Sequence, residues 1–344
     1  MTSHQLSSGD LIADRRAQYA RQYAEGGDAA AAADLQMQAL ELAPEWAAGW
    51  HQLGLYRETS GDRAGAADAW RKVLALAPTD IFGAGLKLSL TGQAETPAAP
   101  PSEYVEALFD GYSDRFDTAL LEDLGYCVPE RLTTLINEVA GTEAQFAKVI
   151  DLGCGTGLFG ERIRLRTSWL DGYDLSQGML AKAQEKGVYD HLGQADIGFG
   201  LPGGGPSSGT KADLVAASDV FAYFGDLDTV IGVAADLIRP GGLLAFSCEA
   251  GAEGSEWLLQ ASLRYSHGAV YLRRLLDRHG LAVERLAREP IRRDGADTIE
   301  GYLVIARKPA EAGLSPSILP VMLPGAPDPA DLPDEPAGGA SHLM

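Results

Sequence analysis

Hydrophobic residues follow two different periods along the middle of the chain. Short apolar runs typical of buried strands alternate with stretches in which apolar residues recur every three to four positions, as in amphipathic helices. The predicted strands are Val149–Leu152, Leu170–Asp174, Leu192–Asp196, Asp213–Ser218 and Leu243–Cys248, and the predicted helices are Leu158–Arg164, Gln177–Glu185, Leu227–Ile238 and Val270–His279. Such alternation predicts an α/β domain built on a mostly parallel sheet.

Two further apolar runs close this region. Ala282–Arg288 and Thr298–Ala306 are joined by a polar turn at Arg292–Asp297, which predicts an antiparallel hairpin. The hairpin would place the last strand antiparallel between its neighbours. The predicted domain is therefore a seven-stranded Rossmann-like sheet with a C-terminal antiparallel hairpin.

The first 95 residues predict a separate all-α block of helical repeats. Gly27-Asp28 recurs 34 residues later as Gly61-Asp62, and the second copy carries Trp50, Leu53, Gly54, Ala66, Trp70 and Pro78. A 34-residue period with these residues is typical of the tetratricopeptide repeat. We predict two repeats and a capping helix at Ile81–Leu90, then a linker at 96–102 that is rich in Pro and Ala. The Pro-rich tail at 309–344 is predicted to be disordered.

A glycine-rich turn follows the first predicted strand. Asp151, Gly153, Gly155 and Gly157 form a D-x-G-x-G-x-G pattern, and Asp174 lies seventeen residues past the last glycine, after the next strand. Glycine lets a ligand approach the backbone closely, and an acid at the end of the second strand suits the two hydroxyls of a ribose. The pattern predicts a site for a cofactor that contains a nucleoside.

Two cofactor classes fit this turn. Gly155–Gly160 satisfies the G-x-G-x-x-G pattern of dinucleotide enzymes, which alone is a weak signal. Asp151, two residues before Gly153, favours a different ligand, because a carboxylate would repel a pyrophosphate but attract the ammonium group of an amino acid.

At these residues the chain resembles the class I S-adenosylmethionine-dependent methyltransferases. Tyr112–Asp117, Val220–Leu227 and Tyr265–His267 further resemble bacterial methyltransferases that carry N-terminal tetratricopeptide repeats, over about residues 10 to 308. The resemblance implies S-adenosylmethionine as the cofactor and no metal. It also implies a methyltransferase domain at 103–308, whose helices at 103–140 form a lid.

The resemblance further assigns roles to residues at the strand ends. Those implied to bind the cofactor are Tyr112, Asp151, Gly153, Gly155, Gly157, Asp174, Leu175, Asp196, Ile197 and Asp219. The acceptor side is expected to contain Tyr223, Phe224 and Glu249. His267, with Tyr265, is the candidate for removing a proton from the acceptor, because histidine titrates near neutral pH.

The net charge of the chain argues against some classes of binding partner. The formal net charge of −20 argues against nucleic acid and against an anionic membrane surface, because both attract basic proteins. The three cysteines show no metal-binding spacing, so a reduced cytoplasmic setting is the expectation.

Three functions fit the whole sequence. The first is methylation of a small molecule, either free or attached to a carrier. The second is methylation of a protein that the repeat block recruits. The third is a non-catalytic scaffold in which the cofactor fold senses its ligand.

Overall fold

The computed structural model describes residues 7–113, 125–201, 209–294 and 297–310. The predicted tail beyond residue 310 lies outside these residues. So do residues 114–124 of the predicted lid, which include the last four residues of the motif Tyr112–Asp117.

From residue 7 onward, the N-terminal block contains five helices: α1 (Leu11–Glu25), α2 (Ala29–Leu42), α3 (Ala47–Thr59), α4 (Arg63–Leu76) and α5 (Ala84–Leu90). The side chains of Asp10, Asp28 and Asp62 accept hydrogen bonds from backbone N–H groups in the first turns of α1, α2 and α4. An N-cap of this kind satisfies donors that have no partner within the helix. The repeated Gly-Asp pairs therefore mark helix starts, and the predicted all-α block is confirmed.

Small residues let the helices of the second repeat approach one another. A Cβ atom added at Gly54 would lie 2.2 Å from Nε1 of the fully buried Trp70. In the first repeat the polar Gln36 takes the place of a large apolar residue. It is nevertheless fully buried and donates to the carbonyl oxygen of Gly49 at 3.1 Å.

The remaining elements form the α/β domain. The strands are β1 (Phe146–Leu152), β2 (Thr167–Asp174), β3 (His191–Gln194), β4 (Ala212–Ala217), β5 (Ile238–Ala250), β6 (Trp257–Leu259), β7 (Tyr265–His267), β8 (Ala282–Asp294) and β9 (Asp297–Arg307). The helices are α6 (Ser102–Tyr112), α7 (Val128–Ala140), α8 (Leu158–Ile163), α9 (Gln177–Lys186), α10 (Asp228–Leu237) and α11 (Ala269–Arg278).

The order of the strands confirms the predicted architecture. Strands β3, β2, β1, β4 and β5 are parallel neighbours in that order, and β9 lies antiparallel between β5 and β8. The hairpin β6–β7 was not predicted. It adds to the sheet where β7 pairs with the end of β5, opposite Glu249 and Ala250.

Alternate residues of the central strands fill two cores. Ile150, Val215 and Phe246 belong to the cluster that includes residues of α10 and α11. Val149 and Leu214 belong to the cluster on the other face, with residues of α7 and α8. Because both faces are covered, ligands are expected at the carboxyl ends of the parallel strands.

The helical block contacts the α/β domain directly. Leu86 of α5 forms one buried cluster with Leu259 of β6 and Tyr265 of β7. The predicted linker also packs against the domain, since the carbonyl oxygen of Ala98 accepts from the N–H groups of Gly225 at 2.7 Å and Asp226 at 3.1 Å. In the part of the chain that the structure describes, no helix has the length and apolar character needed to cross a membrane.

Candidate cofactor and acceptor site

A cavity of about 610 Å³ lies at the carboxyl ends of the central strands. Most of the predicted site residues line it: Asp151, Gly153, Gly155, Asp174, Leu175, Asp196, Ile197, Asp219, Tyr223 and Phe224. The structure does not place Tyr112, Gly157, Glu249, Tyr265 or His267 among the lining residues.

The glycine turn brings the backbone close to the loop after β4. Gly153 and Gly155 have φ angles of 66° and 54°, in the left-handed region that favours glycine. A Cβ atom at Gly153 would lie 2.3 Å from Cγ2 of Val220. A side chain at this position would therefore push the two loops apart and change the floor of the cavity.

Gly157 does not line the cavity and is the N-cap residue of α8, with a φ angle of 94°. A Cβ atom there would lie 3.0 Å from the ring of Tyr189. Gly160 accommodates the same tyrosine, because its Cβ atom would lie 2.4 Å from Tyr189 Oη. The G-x-G-x-x-G match thus includes a glycine needed for packing against Tyr189.

Asp151 offers a buried carboxylate to the cavity. Its Oδ2 accepts from the hydroxyl of Tyr189 at 2.7 Å, and its Oδ1 has no hydrogen-bond partner among the described residues. Burial raises the pKa of Asp151 to about 7; the bond from Tyr189 opposes this shift and the charge of Asp174 adds to it. A cationic ligand group beside Oδ1 would offset the cost of ionising this carboxyl.

Asp174 holds the glycine turn from the end of β2. Its Oδ2 accepts from the N–H of Gly155 at 2.8 Å, and its Oδ1 accepts from the N–H of Ser176 at 2.8 Å. Burial raises the pKa of Asp174 to about 6, although these N–H donors lower it. Each carboxylate oxygen keeps a further lone pair, so the residue can also accept from two ribose hydroxyls.

Helix α6 covers the cavity. At its start the hydroxyl of Ser102 donates to Oδ2 of Asp196. Near its end Oδ1 of Asp110 accepts from the hydroxyl of Ser176 at 2.5 Å and from the N–H of Gly178 at 3.1 Å. These bonds tie the helix to the loops after β2 and β3, which carry the predicted cofactor residues.

Phe109 is the aromatic residue of α6 that lines the cavity. Its ring makes an edge contact with Tyr223, with 5.2 Å between the ring centroids. Tyr112, which we predicted to contact the cofactor, is the last residue of α6 and is 48% exposed outside the cavity.

An ion-pair network closes the acceptor end. Nη1 of Arg264 donates to Oδ2 of Asp219 at 3.1 Å. Behind them Nη2 of Arg292 donates to Oε1 of Glu249 at 2.5 Å, and Arg292 Nη1 lies 3.6 Å from Asp219 Oδ1. Glu249 was predicted to contact the acceptor, but it is buried behind the wall, where it pairs with Arg292.

His267 and Tyr265 lie behind the wall as well, which corrects their predicted position. His267 is fully buried, and its Nε2 lies 2.8 Å from the carbonyl oxygen of Phe224. Burial lowers its pKa to about 4, so the neutral ring donates this bond. The hydroxyl of Tyr265 donates to the carbonyl oxygen of Pro97 at 2.8 Å. His267 therefore holds backbone of the cavity wall, and Tyr265 holds the residue that precedes Ala98 of the wall.

Three residues of the site were not predicted from the sequence: Tyr126, Tyr189 and Arg264. Tyr126 and Arg264 line the cavity, and Tyr189 bonds Asp151. Arg264 directly precedes the motif Tyr265–His267, which was the available signal. Among the described residues, no group of three or more His, Cys, Asp or Glu side chains is placed to hold a metal ion.

Residues 150–244 match the family model described as a methyltransferase domain. A ubiquinone biosynthesis O-methyltransferase of Chromobacterium violaceum is 31% identical over 107 residues, which is 29% of this chain and 43% of that enzyme. A malonyl-[acyl-carrier protein] O-methyltransferase of Enterobacter lignolyticus is 33% identical over 103 residues, 30% of this chain and 39% of that enzyme. The chain thus spans less than half the length of these relatives.

A further relative is described as a repeat protein. A protein of Pseudomonas aeruginosa described as containing tetratricopeptide repeats is 44% identical over 57 residues, 17% of this chain and 54% of that protein.

A solved structure supports the fold. The [4+2]-cyclase SpnF has a TM-score of 0.50 and 19% sequence identity, and the alignment covers 62% of this chain and 98% of that one. Its described reaction is not methyl transfer, so this likeness speaks for the architecture only. The chain therefore carries a methyltransferase domain at residues 150–244. Its strand order and its glycine turn beside buried acids agree with the class I S-adenosylmethionine-dependent architecture that the sequence predicts.

Proposed function

We propose that this protein transfers a methyl group from S-adenosylmethionine to a small acceptor, either free or attached to a carrier. One observation carries the proposal: a single cavity joins an acid-lined glycine turn to an aromatic wall. Its volume of about 610 Å³ falls within the range of small-molecule sites.

The buried acids fit the parts of this cofactor. The unpartnered Oδ1 of Asp151 suits the ammonium group of the methionine moiety, and Asp174 suits the ribose diol. Leu175 and Ile197 would contact the adenine, and Asp196 would accept from its amino group. Asp219 and Val220 continue along the cavity toward the acceptor end.

The chemistry requires alignment more than proton transfer. S-adenosylmethionine supplies a methyl group already activated by its sulfonium. The chain then orients the acceptor and excludes water, which are roles for α6 and the rings of Phe109, Tyr223 and Phe224. No histidine lines the described cavity. We infer that the acceptor is ionised when it binds or loses its proton to a carboxylate of the wall.

The relatives support a small or carrier-borne acceptor. Their described roles lie in ubiquinone biosynthesis and in methylation of malonyl-[acyl-carrier protein]. The position of the cavity under α6 and residues 98–101 also favours a slender acceptor over a bulky protein surface.

A protein acceptor recruited by the repeat block is the second candidate. A cavity of about 470 Å³ in this block borders α6 through Tyr104 and Leu108. Gln36 Oε1 and Trp46 Nε1 belong to lining residues and are buried without a hydrogen-bond partner among the described residues. Such groups favour a polar ligand, including an extended peptide.

Calorimetry and labelling test the proposal. Purified protein should bind S-adenosylmethionine and S-adenosylhomocysteine but not NAD. Extract incubated with the protein and S-adenosylmethionine labelled in its methyl group should then yield label in the small-molecule or carrier fraction. Label confined to larger polypeptides would favour the second candidate. Binding without any transfer of label would favour a ligand-sensing scaffold.

A further inference from the structure

Arg264 is the one cationic side chain among the described residues that line the cavity. Every other charged residue of that lining is an aspartate or a glutamate. A cofactor with a sulfonium and an ammonium group explains several acids at the glycine turn. An arginine beside the aromatic wall needs an anionic partner, which is either the carboxylate of the cofactor or a group of the acceptor.

The backbone around Arg264 is strained. Leu263, the residue before it, has a φ angle of 62°, and its ion-pair partner Asp219 has a φ angle of 59°. In the described part of the chain, Asp80 is the one other non-glycine residue with a positive φ. Strain of this kind persists where the surrounding structure fixes a side chain, and it concentrates at functional sites. One of these three residues thus directly precedes Arg264, and a second is its ion-pair partner.

The network leaves part of the Arg264 guanidinium available to a ligand. Arg292 is buried, with its side chain 6% exposed, whereas the side chain of Arg264 is 20% exposed. Arg264 donates to Asp219 through Nη1 and lies over the ring of Tyr223, 5.0 Å from its centroid. A guanidinium has five N–H groups in one plane, so several remain for an anion.

Fixed, planar donors of this kind match the two oxygens of a carboxylate. The neighbouring wall is apolar and aromatic, with Val105, Phe109, Tyr223 and Phe224. We propose that the methyl acceptor is an organic acid whose carboxylate binds Arg264 and whose apolar body lies against this wall. The inference rests on the proposed methyltransferase function and names the substrate class of the same site.

Matched pairs of probes test the charge preference without knowledge of the natural acceptor. Full-length protein saturated with S-adenosylhomocysteine is titrated with benzoate and benzamide, and separately with hexanoate and hexanamide. Each pair shares a body and differs in charge. The wild-type protein should bind each acid at least about tenfold more tightly than its amide, as expected for a hydrogen-bonded charge pair.

Substitutions assign the preference to Arg264. Arg264→Gln should abolish the preference for the acid and leave the affinities for the amides and for S-adenosylhomocysteine unchanged. Arg264→Lys keeps the charge but not the planar donors, so it should lower the ratio of acid to amide affinity without abolishing it. Arg288→Gln, which removes an exposed arginine paired with Glu300 on the terminal hairpin, is the matched control.

Several outcomes would overturn the inference. In the first, the wild-type protein binds acids and amides with equal affinity, and in the second it binds neither acid at millimolar concentration. The third such outcome is that Arg264→Gln keeps the preference for the acid unchanged. Loss of S-adenosylhomocysteine binding in Arg264→Gln would assign the arginine to the carboxylate of the cofactor instead. If Arg264→Gln lacks a melting transition, Arg264→Lys decides, and an unchanged ratio there rejects the proposal. Failure of the wild-type protein to bind S-adenosylhomocysteine would instead reject the proposed function.

Discussion

At the scale of residues, burial controls the acids beside the glycine turn. Asp151 and Asp174 lie at the carboxyl ends of the neighbouring strands β1 and β2, and burial is the largest influence on the pKa of each. Asp174 accepts N–H groups through both oxygens, whereas Asp151 keeps one oxygen without a partner among the described residues. The two carboxylates therefore differ in what they offer a ligand.

The pKa of Asp151 predicts how stability depends on pH. Its pKa is about 7 in the fold against an ordinary 3.8, so the native protein holds a proton that the unfolded chain releases. The free energy of unfolding should therefore fall between about pH 4 and pH 7 and level off above this range. Asp151→Asn should lack this contribution, so its stability relative to wild type should rise over the same range. Urea unfolding at pH 5, 6, 7 and 8 measures it.

The control for this prediction is Asp34→Asn, at an exposed position of α2. A difference between Asp151→Asn and wild type that does not change with pH would contradict the assignment.

Asp174 should dominate affinity for the ribose. Asp174→Asn keeps an acceptor for one N–H group but loses the charge and one of the two hydroxyl contacts. We expect affinity for S-adenosylhomocysteine to fall by about 2 kcal/mol, roughly 30-fold. Calorimetry measures the loss, with Glu185→Gln on the exposed side of α9 as the control. Affinity within threefold of wild type would argue against the ribose contact.

At the scale of elements, α6 contributes to the site although the glycine turn and the acids at the strand ends lie on other elements. Ser102, its first residue, donates a hydrogen bond to Asp196, and the ring of Phe109 contacts that of Tyr223. Asp110 accepts hydrogen bonds at the start of α9. A carboxylate at a helix start interacts favourably with free N–H groups and with the helix dipole. The helix is therefore held in place before any ligand binds.

Removing the Asp110 contact should weaken cofactor binding indirectly. Asp110→Ala leaves the N–H of Gly178 and the hydroxyl of Ser176 without this acceptor, which should cost about 1 kcal/mol of docking energy. Affinity for S-adenosylhomocysteine should fall about fivefold and its dissociation should accelerate. Stopped-flow binding measures both, with Asp34→Ala as the control. Unchanged dissociation would mean that α6 does not cover the bound cofactor.

At the scale of the whole molecule, the repeat block packs against the hairpin behind the cavity wall. Leu86 of the block packs with Leu259 and Tyr265, and Tyr265 in turn bonds the carbonyl oxygen of Pro97. Deleting residues 1–95 would expose this cluster as well as remove the surface proposed to recruit a protein acceptor. Point substitutions in the full chain therefore separate the two roles better than truncation does.

Leu86→Ala tests this shared core. The substitution leaves a cavity between α5 and the β6–β7 hairpin, and we expect the free energy of unfolding to fall by about 2 to 4 kcal/mol. Affinity for S-adenosylhomocysteine should stay unchanged, because the cluster lies away from the glycine turn. Urea unfolding and calorimetry measure the two effects, and Leu42→Ala, which is 44% exposed in the block, is the control. Equal losses for the two leucines would contradict the shared core.

The sequence by itself determined the architecture and the cofactor end of the cavity. Glycines at fixed spacing and acids at strand ends are local signals, because a parallel sheet brings the carboxyl ends of its strands together whatever surrounds them. Only the tertiary structure decided the acceptor end. His267 and Arg264 lie three residues apart on one hairpin, yet the first is buried against backbone carbonyls and the second lines the cavity. Pairing of β7 with β5 and packing against the helical block decide which side chain reaches the ligand, and these contacts join segments that are distant in the chain.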